Sequence, residues 1–124
     1  MQPEIYEKLN EIIAKTNNDD IIWKRISPVC YSFEKSIPYD LDRKLLKSAE
    51  ILYTVTKTEG NFLMTGHDIR YEFEILNKDN EETVYRISSN KDAEEETKKI
   101  LCEMYNAIES QQKRKIAIIL NASL

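Results

Sequence analysis

The sequence predicts an α+β domain with an N-terminal helix, an antiparallel β-meander of about four to five strands, and a long C-terminal helix. Apolar residues recur at helical spacing near both ends of the chain, whereas apolar and polar residues alternate at period two in its middle. Polar, turn-forming runs separate the alternating segments. In a chain of 124 residues a second core would be marginal in size, so we expect a single domain over residues 1–124.

The first helix is predicted over residues 3–15. Pro3 has a fixed φ angle that suits the first helical turn, and the apolar residues after it follow helical spacing. Those apolar residues are Ile5, Leu9, Ile12 and Ile13. Residues 16–20 favour a turn because their polar side chains compete for backbone hydrogen bonds. We therefore expect the helix to end before Thr16.

A β-rich segment follows this loop. Residues 21–26 are rich in β-forming side chains, and apolar residues alternate with polar ones beyond Pro28. We predict one or two strands here, interrupted at residues 27–28. Residues 36–40 are typical of a turn, and the leucines within residues 41–47 have the spacing of a short helix or helical turn.

The middle of the chain has the clearest strand pattern. Residues 51–56 alternate between apolar and polar side chains, and residues 59–61 are typical of a turn. The alternation returns in residues 69–76 and 83–89, which flank the polar run of residues 77–82. We therefore predict strands in the three alternating segments, the last two of them joined as a hairpin.

One register of this hairpin places the apolar residues of both strands on the same face. Its opposed pairs are Ile75 with Tyr85, Phe73 with Ile87, and Glu74 with Arg86. A slip by one residue would move every side chain to the opposite face. In this register the ion pair of Glu74 with Arg86 across the polar face contributes about 0.2–1 kcal/mol to stability. Residues 78–82 would then form a five-residue loop.

The last helix is predicted from near Asn90 to about Gln112. Acidic residues in its first turns suit the exposed N–H groups of a helix N-terminus, and apolar residues form one stripe. The stripe consists of Thr97, Ile100, Leu101, Met104, Tyr105 and Ile108. Residues 113–124 fit either an extension of this helix or a terminal strand, because their isoleucines satisfy both periods. We favour the helix.

The sequence predicts no catalytic, cofactor-binding or metal-binding residues. The two glycines, Gly60 and Gly66, begin neither a phosphate-binding loop nor a dinucleotide-binding motif. The single histidine, His67, lies at a strand entry and is predicted to be a turn residue. Cys30 and Cys102 lie far apart in apolar patterns, so we expect reduced, buried thiols.

Charge and hydropathy restrict the partners and the location that we expect. The formal net charge of −4 gives no long-range attraction to nucleic acid or to an anionic membrane surface. No apolar run approaches the ~20 residues of a membrane span, and residues 1–4 lack the pattern of a signal peptide. We therefore expect a cytoplasmic protein without a membrane partner. Most of the 7 Tyr and 3 Phe occupy apolar strand positions, where we expect core packing.

The candidate site residues lie in residues 113–124. An apolar group there predicts an interface with another protein or with a second copy, since exposed apolar patches commonly mark interfaces. Its residues are Ile116, Ile119 and Leu120. A basic group precedes it and offers the alternative of contact with nucleic acid. Its residues are Lys113, Arg114 and Lys115. We expect these cations to stabilise helix carbonyls instead, because three charges are few for strong nucleic-acid binding.

Four segments resemble small uncharacterised proteins from low-GC Gram-positive bacteria and their phages or mobile elements. They read LNEIIAKTNNDDIIWKR, YEFEILN, VYRISS and LCEMYNAI, and the resemblance spans most of residues 5–109. It implies a helix, a β-meander and a helix, with no catalytic residues, and residues 37–47 look like an insertion. Together with the lack of catalytic motifs and the apolar C-terminal group, this leads us to expect a non-enzymatic protein-interaction module, a regulator or inhibitor encoded by a phage or mobile element.

Overall fold

The computed structural model describes residues 1–39, 47–62, 66–90 and 92–124, and these residues form an α+β fold. The elements in chain order are α1 (Pro3–Asn17), β1 (Lys24–Ser27), β2 (Cys30–Tyr39), β3 (Lys47–Phe62), β4 (Gly66–Asn77), β5 (Glu82–Ser88) and α2 (Glu95–Ser123). The strands form one sheet in the order β1-β2-β3-β4-β5, and every neighbouring pair is antiparallel. The predicted helix, meander and long helix are confirmed.

Helix α1 begins at Pro3 as predicted and ends two residues later than predicted, at Asn17. The extension has a local cause. The Thr16 hydroxyl donates a hydrogen bond of 2.8 Å to the carbonyl of Ile12, so this side chain is satisfied inside the helix. The chain turns just beyond, where Asp19 adopts a positive φ of 59°.

Two predicted turns are wrong, because their described residues belong to strands; residue 40, the last of the first predicted turn, lies outside the described residues. Residues 36–39 belong to β2, where Pro38 lies opposite Ser48. Among the described residues, β1 pairs with β2 only as far as Ser32, so Pro38 lies in a part of β2 that has β3 as its one partner strand. Proline is tolerated at such an edge. Residues 59–61 belong to β3. The helical turn predicted for residues 41–47 lies outside the described residues except for its last residue, which begins β3.

The register predicted for the last hairpin is confirmed. Phe73 lies opposite Ile87 and Ile75 opposite Tyr85, and Arg86 contacts Glu74 at 3.0 Å. The predicted five-residue loop is wrong, since a bulge after Ile75 brings residue 77 opposite residue 82 and leaves residues 78–81 as the loop.

Helix α2 begins at Glu95, later than the predicted start near Asn90. The Asn90 side chain accepts a hydrogen bond of 3.1 Å from the Asp92 N–H, and the Asn90 carbonyl accepts one from Ala93 at 3.0 Å. These bonds form a turn ahead of the helix. At its other end α2 continues to Ser123, so the predicted helical extension is confirmed and the strand alternative is wrong.

The core lies between α2 and one face of the sheet. Tyr31, Val55 and Phe73 are adjacent on three neighbouring strands, and they pack with the predicted stripe of α2 and with Leu9 of α1. Complete burial of each such apolar side chain stabilises the fold by about 1.5–3 kcal/mol. Helix α1 packs on α2. The two helices run parallel. The Met1 amine, just before α1, contacts Glu94, just before α2, and Thr16 near the end of α1 is hydrogen-bonded to Gln111 in the later turns of α2.

Candidate interaction surfaces

Gln111 fixes the position at which α2 leaves the core. Its side chain is fully buried, and its Oε1 accepts a hydrogen bond of 2.9 Å from the Trp23 backbone N–H. Its Nε2 lies 2.6 Å from the carbonyl of Ile21 and 3.2 Å from that of Thr16. One amide therefore joins α2 to the loop of residues 18–23, which connects α1 with β1.

The three basic residues after Gln111 have different surroundings. Arg114 donates to Asp19 at 2.8 Å and to the carbonyl of Thr16 at 3.2 Å. This hydrogen bond from Arg114 is the main cause of the lowered pKa of Asp19. Lys115 donates to the carbonyl of Trp23 at 3.0 Å, whereas Lys113 is exposed. Two of the predicted basic residues thus hold the loop of residues 18–23 rather than the last carbonyls of α2.

Residues 113–123 form the last turns of α2, and together with the cap residue Leu124 we call them the tail. Ile116, Ile118, Ile119 and Leu120 are between 54% and 66% exposed. Three of them, Ile116, Ile119 and Leu120, are spaced as one stripe along the helix, and Ile118 points away from that stripe. The predicted apolar group therefore lies on a helix that projects beyond the core with its apolar side chains in solvent.

A second apolar surface lies between α1 and the sheet, and we call it the cleft. It has a volume of about 1180 Å³. Its floor is a row of opposed residues on four strands, which are Phe33, Tyr53, Ile75 and Tyr85. Adjacent strands are about 4.8 Å apart, so this row is about 14 Å wide. The rings of Phe33 and Tyr53 stack at 4.4 Å. Burial raises the pKa of Tyr53 and of Tyr85, so both phenols are neutral at physiological pH.

Helix α1 provides the opposite wall of the cleft with Ile5, Leu9 and Ile12. Beyond the end of α1 the lining continues onto Asp20 and Ile22, in the loop that also binds Arg114 and Lys115. This end of the cleft, which we call its mouth, is therefore next to the position where the tail leaves the core. Ile22 is 53% exposed there.

Charged residues surround the apolar surfaces of the cleft. Some are neutralised within the molecule, since Glu11 contacts Lys8 at 3.2 Å and Lys15 at 3.5 Å, with the Lys8 hydrogen bond the main cause of its lowered pKa. Three acidic residues of the rim form no ion pair with another residue of the described ranges. They are Glu4, Glu7 and Asp20. Lys35 is a basic residue of the rim that likewise forms no ion pair in those ranges, so acidic groups outnumber basic ones among the unpaired rim charges.

Comparison of the chain with family models, with curated proteins and with solved structures finds no match. The resemblance to small proteins of Gram-positive bacteria and their mobile elements therefore stays a prediction. In the described ranges, no helix combines the length and the apolar character needed to cross a membrane. No group of three or more His, Cys, Asp or Glu residues in those ranges is arranged to hold a metal ion.

The cysteines differ from the prediction of buried thiols, because both are half-buried and free. Cys30 accepts a hydrogen bond from the Thr56 hydroxyl at 3.2 Å, and Cys102 lies 4.0 Å from the Tyr71 hydroxyl. His67 lies in β4 opposite Asn61 rather than in a turn, and its side chain is outside the described part of the structure.

The cleft is a surface feature that the sequence did not reveal. Its floor residues occupy apolar strand positions, which predict core packing whether or not a helix covers them. The opposed residues 75 and 85 were predictable from the register. The gap between α1 and the sheet was not, because it depends on how closely the two parallel helices pack together.

Proposed function

We propose that the chain is a non-enzymatic protein-interaction module, that its interface is the apolar stripe of the tail, and that its partner is a second copy of the chain. The observation that carries this proposal is the exposure of Ile116, Ile119 and Leu120 on a regular helix. Large apolar side chains grouped on one surface are typical of interaction sites rather than of monomer surfaces.

The large apolar side chains of the tail and its ordered helical backbone both support an interaction role. Each large side chain that becomes fully buried in an interface contributes about 1.5–3 kcal/mol before the cost of association. The tail is also already helical and anchored at its root by Gln111, Arg114 and Lys115. A pre-ordered helix loses less conformational entropy on binding than a disordered segment does, which favours association.

The tail allows a matched test with single substitutions. Ile119→Asp places a carboxylate in the stripe, whereas Ile118→Asp places the same group at a position of similar exposure outside it. We expect sedimentation velocity to show a concentration-dependent dimer for the unsubstituted chain and for Ile118→Asp, and a monomer for Ile119→Asp. An unsubstituted chain that stays monomeric, or two variants that behave alike, would contradict the proposal.

The nucleic-acid alternative is less well supported by this geometry. Arg114 and Lys115 bind acceptors within the chain, so Lys113 is the basic residue of the cluster with its ammonium group in solvent. Titration of a labelled oligonucleotide at low salt checks the alternative. Binding that weakens steeply as salt rises, and that Lys113→Ala reduces, would favour it over self-association.

A further inference from the structure

We propose that the tail of one copy docks in the cleft of a second copy, and that the second copy returns its own tail to the cleft of the first. This inference rests on the proposed function, because it names the surface that receives the tail. It brings together two apolar surfaces of the described part of the chain, a projecting helix and a concave groove.

The dimensions of the two surfaces match. Residues 116–123 span about 12 Å as a helix, and the part of α1 that borders the cleft, residues 4–15, spans about 18 Å. A helix stripe with anchors at positions i, i+3 and i+4 is the shape that apolar grooves between secondary-structure elements accept. The sheet floor supplies mainly aromatic side chains and the α1 wall supplies branched aliphatic ones, against which Ile116, Ile119 and Leu120 can pack.

The charges at the two surfaces are complementary. Lys113, at the root of the tail, forms no ion pair within the described ranges, and neither does Asp20 at the mouth of the cleft. The rim also carries unpaired Glu4, Glu7 and Lys35, so its unpaired charges sum to a negative value. A tail that enters through the mouth of a second copy places Lys113 close to Asp20 of that copy. Attraction between the basic root and the acidic mouth favours this direction of entry.

The positions of root and mouth make the exchange reciprocal. Arg114 binds Asp19, and the adjacent Asp20 lines the mouth, so each copy presents its tail root and its mouth at one end of the molecule. A two-fold axis at this end lets both tails enter the opposite clefts at once. Such an isologous contact closes as a dimer and does not grow into a filament.

Substitutions at the mouth distinguish this arrangement from a dimer in which the two tails pack on each other. Ile22→Asp alters a mouth residue that is 53% exposed, and Ile26→Asp is the matched control, since Ile26 is 52% exposed and does not line the cleft. We expect light scattering to show a monomer for Ile22→Asp and a dimer for Ile26→Asp. Ile12→Asp, on the α1 wall, serves as a second cleft variant, and circular dichroism establishes that each variant is folded.

Mixing two variants gives the decisive measurement. Ile119→Asp has a damaged tail and an intact cleft, whereas Ile22→Asp has an intact tail and a damaged cleft. Each is expected to be monomeric alone. In a mixed dimer, the intact tail of Ile22→Asp can dock in the intact cleft of Ile119→Asp, whereas the opposite pairing is damaged on both sides. We therefore expect dimers to return in an equimolar mixture, with an affinity below that of the unsubstituted chain. A mixture that stays monomeric at the highest concentration at which the unsubstituted chain is dimeric would overturn the proposal.

The outcomes distinguish this inference from the function on which it rests. If Ile119→Asp is monomeric while Ile22→Asp and Ile12→Asp dimerise like the unsubstituted chain, the tail is the interface and the cleft is not its acceptor. That result overturns the inference alone. If the unsubstituted chain is monomeric throughout, both the inference and the proposed self-association fail.

Discussion

Gln111 occupies a position where a helix facing a core usually carries an apolar residue. Its amide satisfies the Trp23 N–H and the Ile21 carbonyl, neither of which has a place in the sheet ladder at that point. The stripe predicted from the sequence ended at Ile108, because a polar residue is expected to face water. Only the path of the loop between α1 and β1 shows that acceptors and donors surround Gln111.

Replacement of Gln111 by alanine should therefore be costly. The Trp23 N–H and the Ile21 carbonyl would be buried without these partners, and a small cavity would remain, so we expect the free energy of unfolding to fall by about 2–4 kcal/mol. Gln112→Ala is the control, since Gln112 is half-buried and donates one bond of 3.1 Å to the Trp23 carbonyl. Its expected cost is about 0.5–1 kcal/mol. Equal effects in urea unfolding would contradict this role of Gln111.

Strand length and strand register were predictable to different degrees. Strict alternation in residues 69–76 and 83–89 determined the register, because one register alone places Phe73 and Ile87 on the buried face. Strand ends were less predictable. Gly60 and Pro38 are typical turn residues, yet both lie within hairpin ladders whose many backbone hydrogen bonds outweigh these local preferences.

The loop of the β4–β5 hairpin allows a test at the level of this element. Glu81 has a positive φ of 58°, a conformation that costs an L-residue about 1–2 kcal/mol and costs glycine little. We expect Glu81→Gly to raise the free energy of unfolding by about 0.5–1 kcal/mol, after allowance for the entropy of glycine in the unfolded chain. Glu82→Gly, one residue later and within β5, should lower it by a similar amount. A loss of stability in both variants would contradict this backbone strain at Glu81.

Across the whole molecule, the fold class follows from patterns within the sequence, whereas the cleft and the tail depend on relations between elements. The predicted apolar group of Ile116, Ile119 and Leu120 is exposed because α2 extends beyond the part of the helix that packs on the core. The cleft exists because α1 packs on α2. Helical and strand periods carry no information on either relation, since each describes one element at a time.

A dimer should link the stability of the molecule to its concentration. Any partner that binds the folded state and not the unfolded state raises the apparent stability by mass action. We expect the midpoint of thermal unfolding to rise by several degrees over a hundredfold increase in protein concentration, as followed by calorimetry. The midpoint of Ile119→Asp should stay constant over the same range. A constant midpoint for the unsubstituted chain would argue against a stable dimer.

Trp23 gives the molecule a built-in optical probe of one region. It is the only tryptophan of the chain, its ring is fully buried, and its indole N–H donates to Thr16 at 2.9 Å. Its ring also meets Phe33, part of the cleft floor, edge to face at 4.6 Å. Emission excited at the red edge of protein absorption therefore comes from the place where the end of α1, the cleft floor and Gln111 meet. Quenching by acrylamide reports the opening of that place separately from the melting of the sheet.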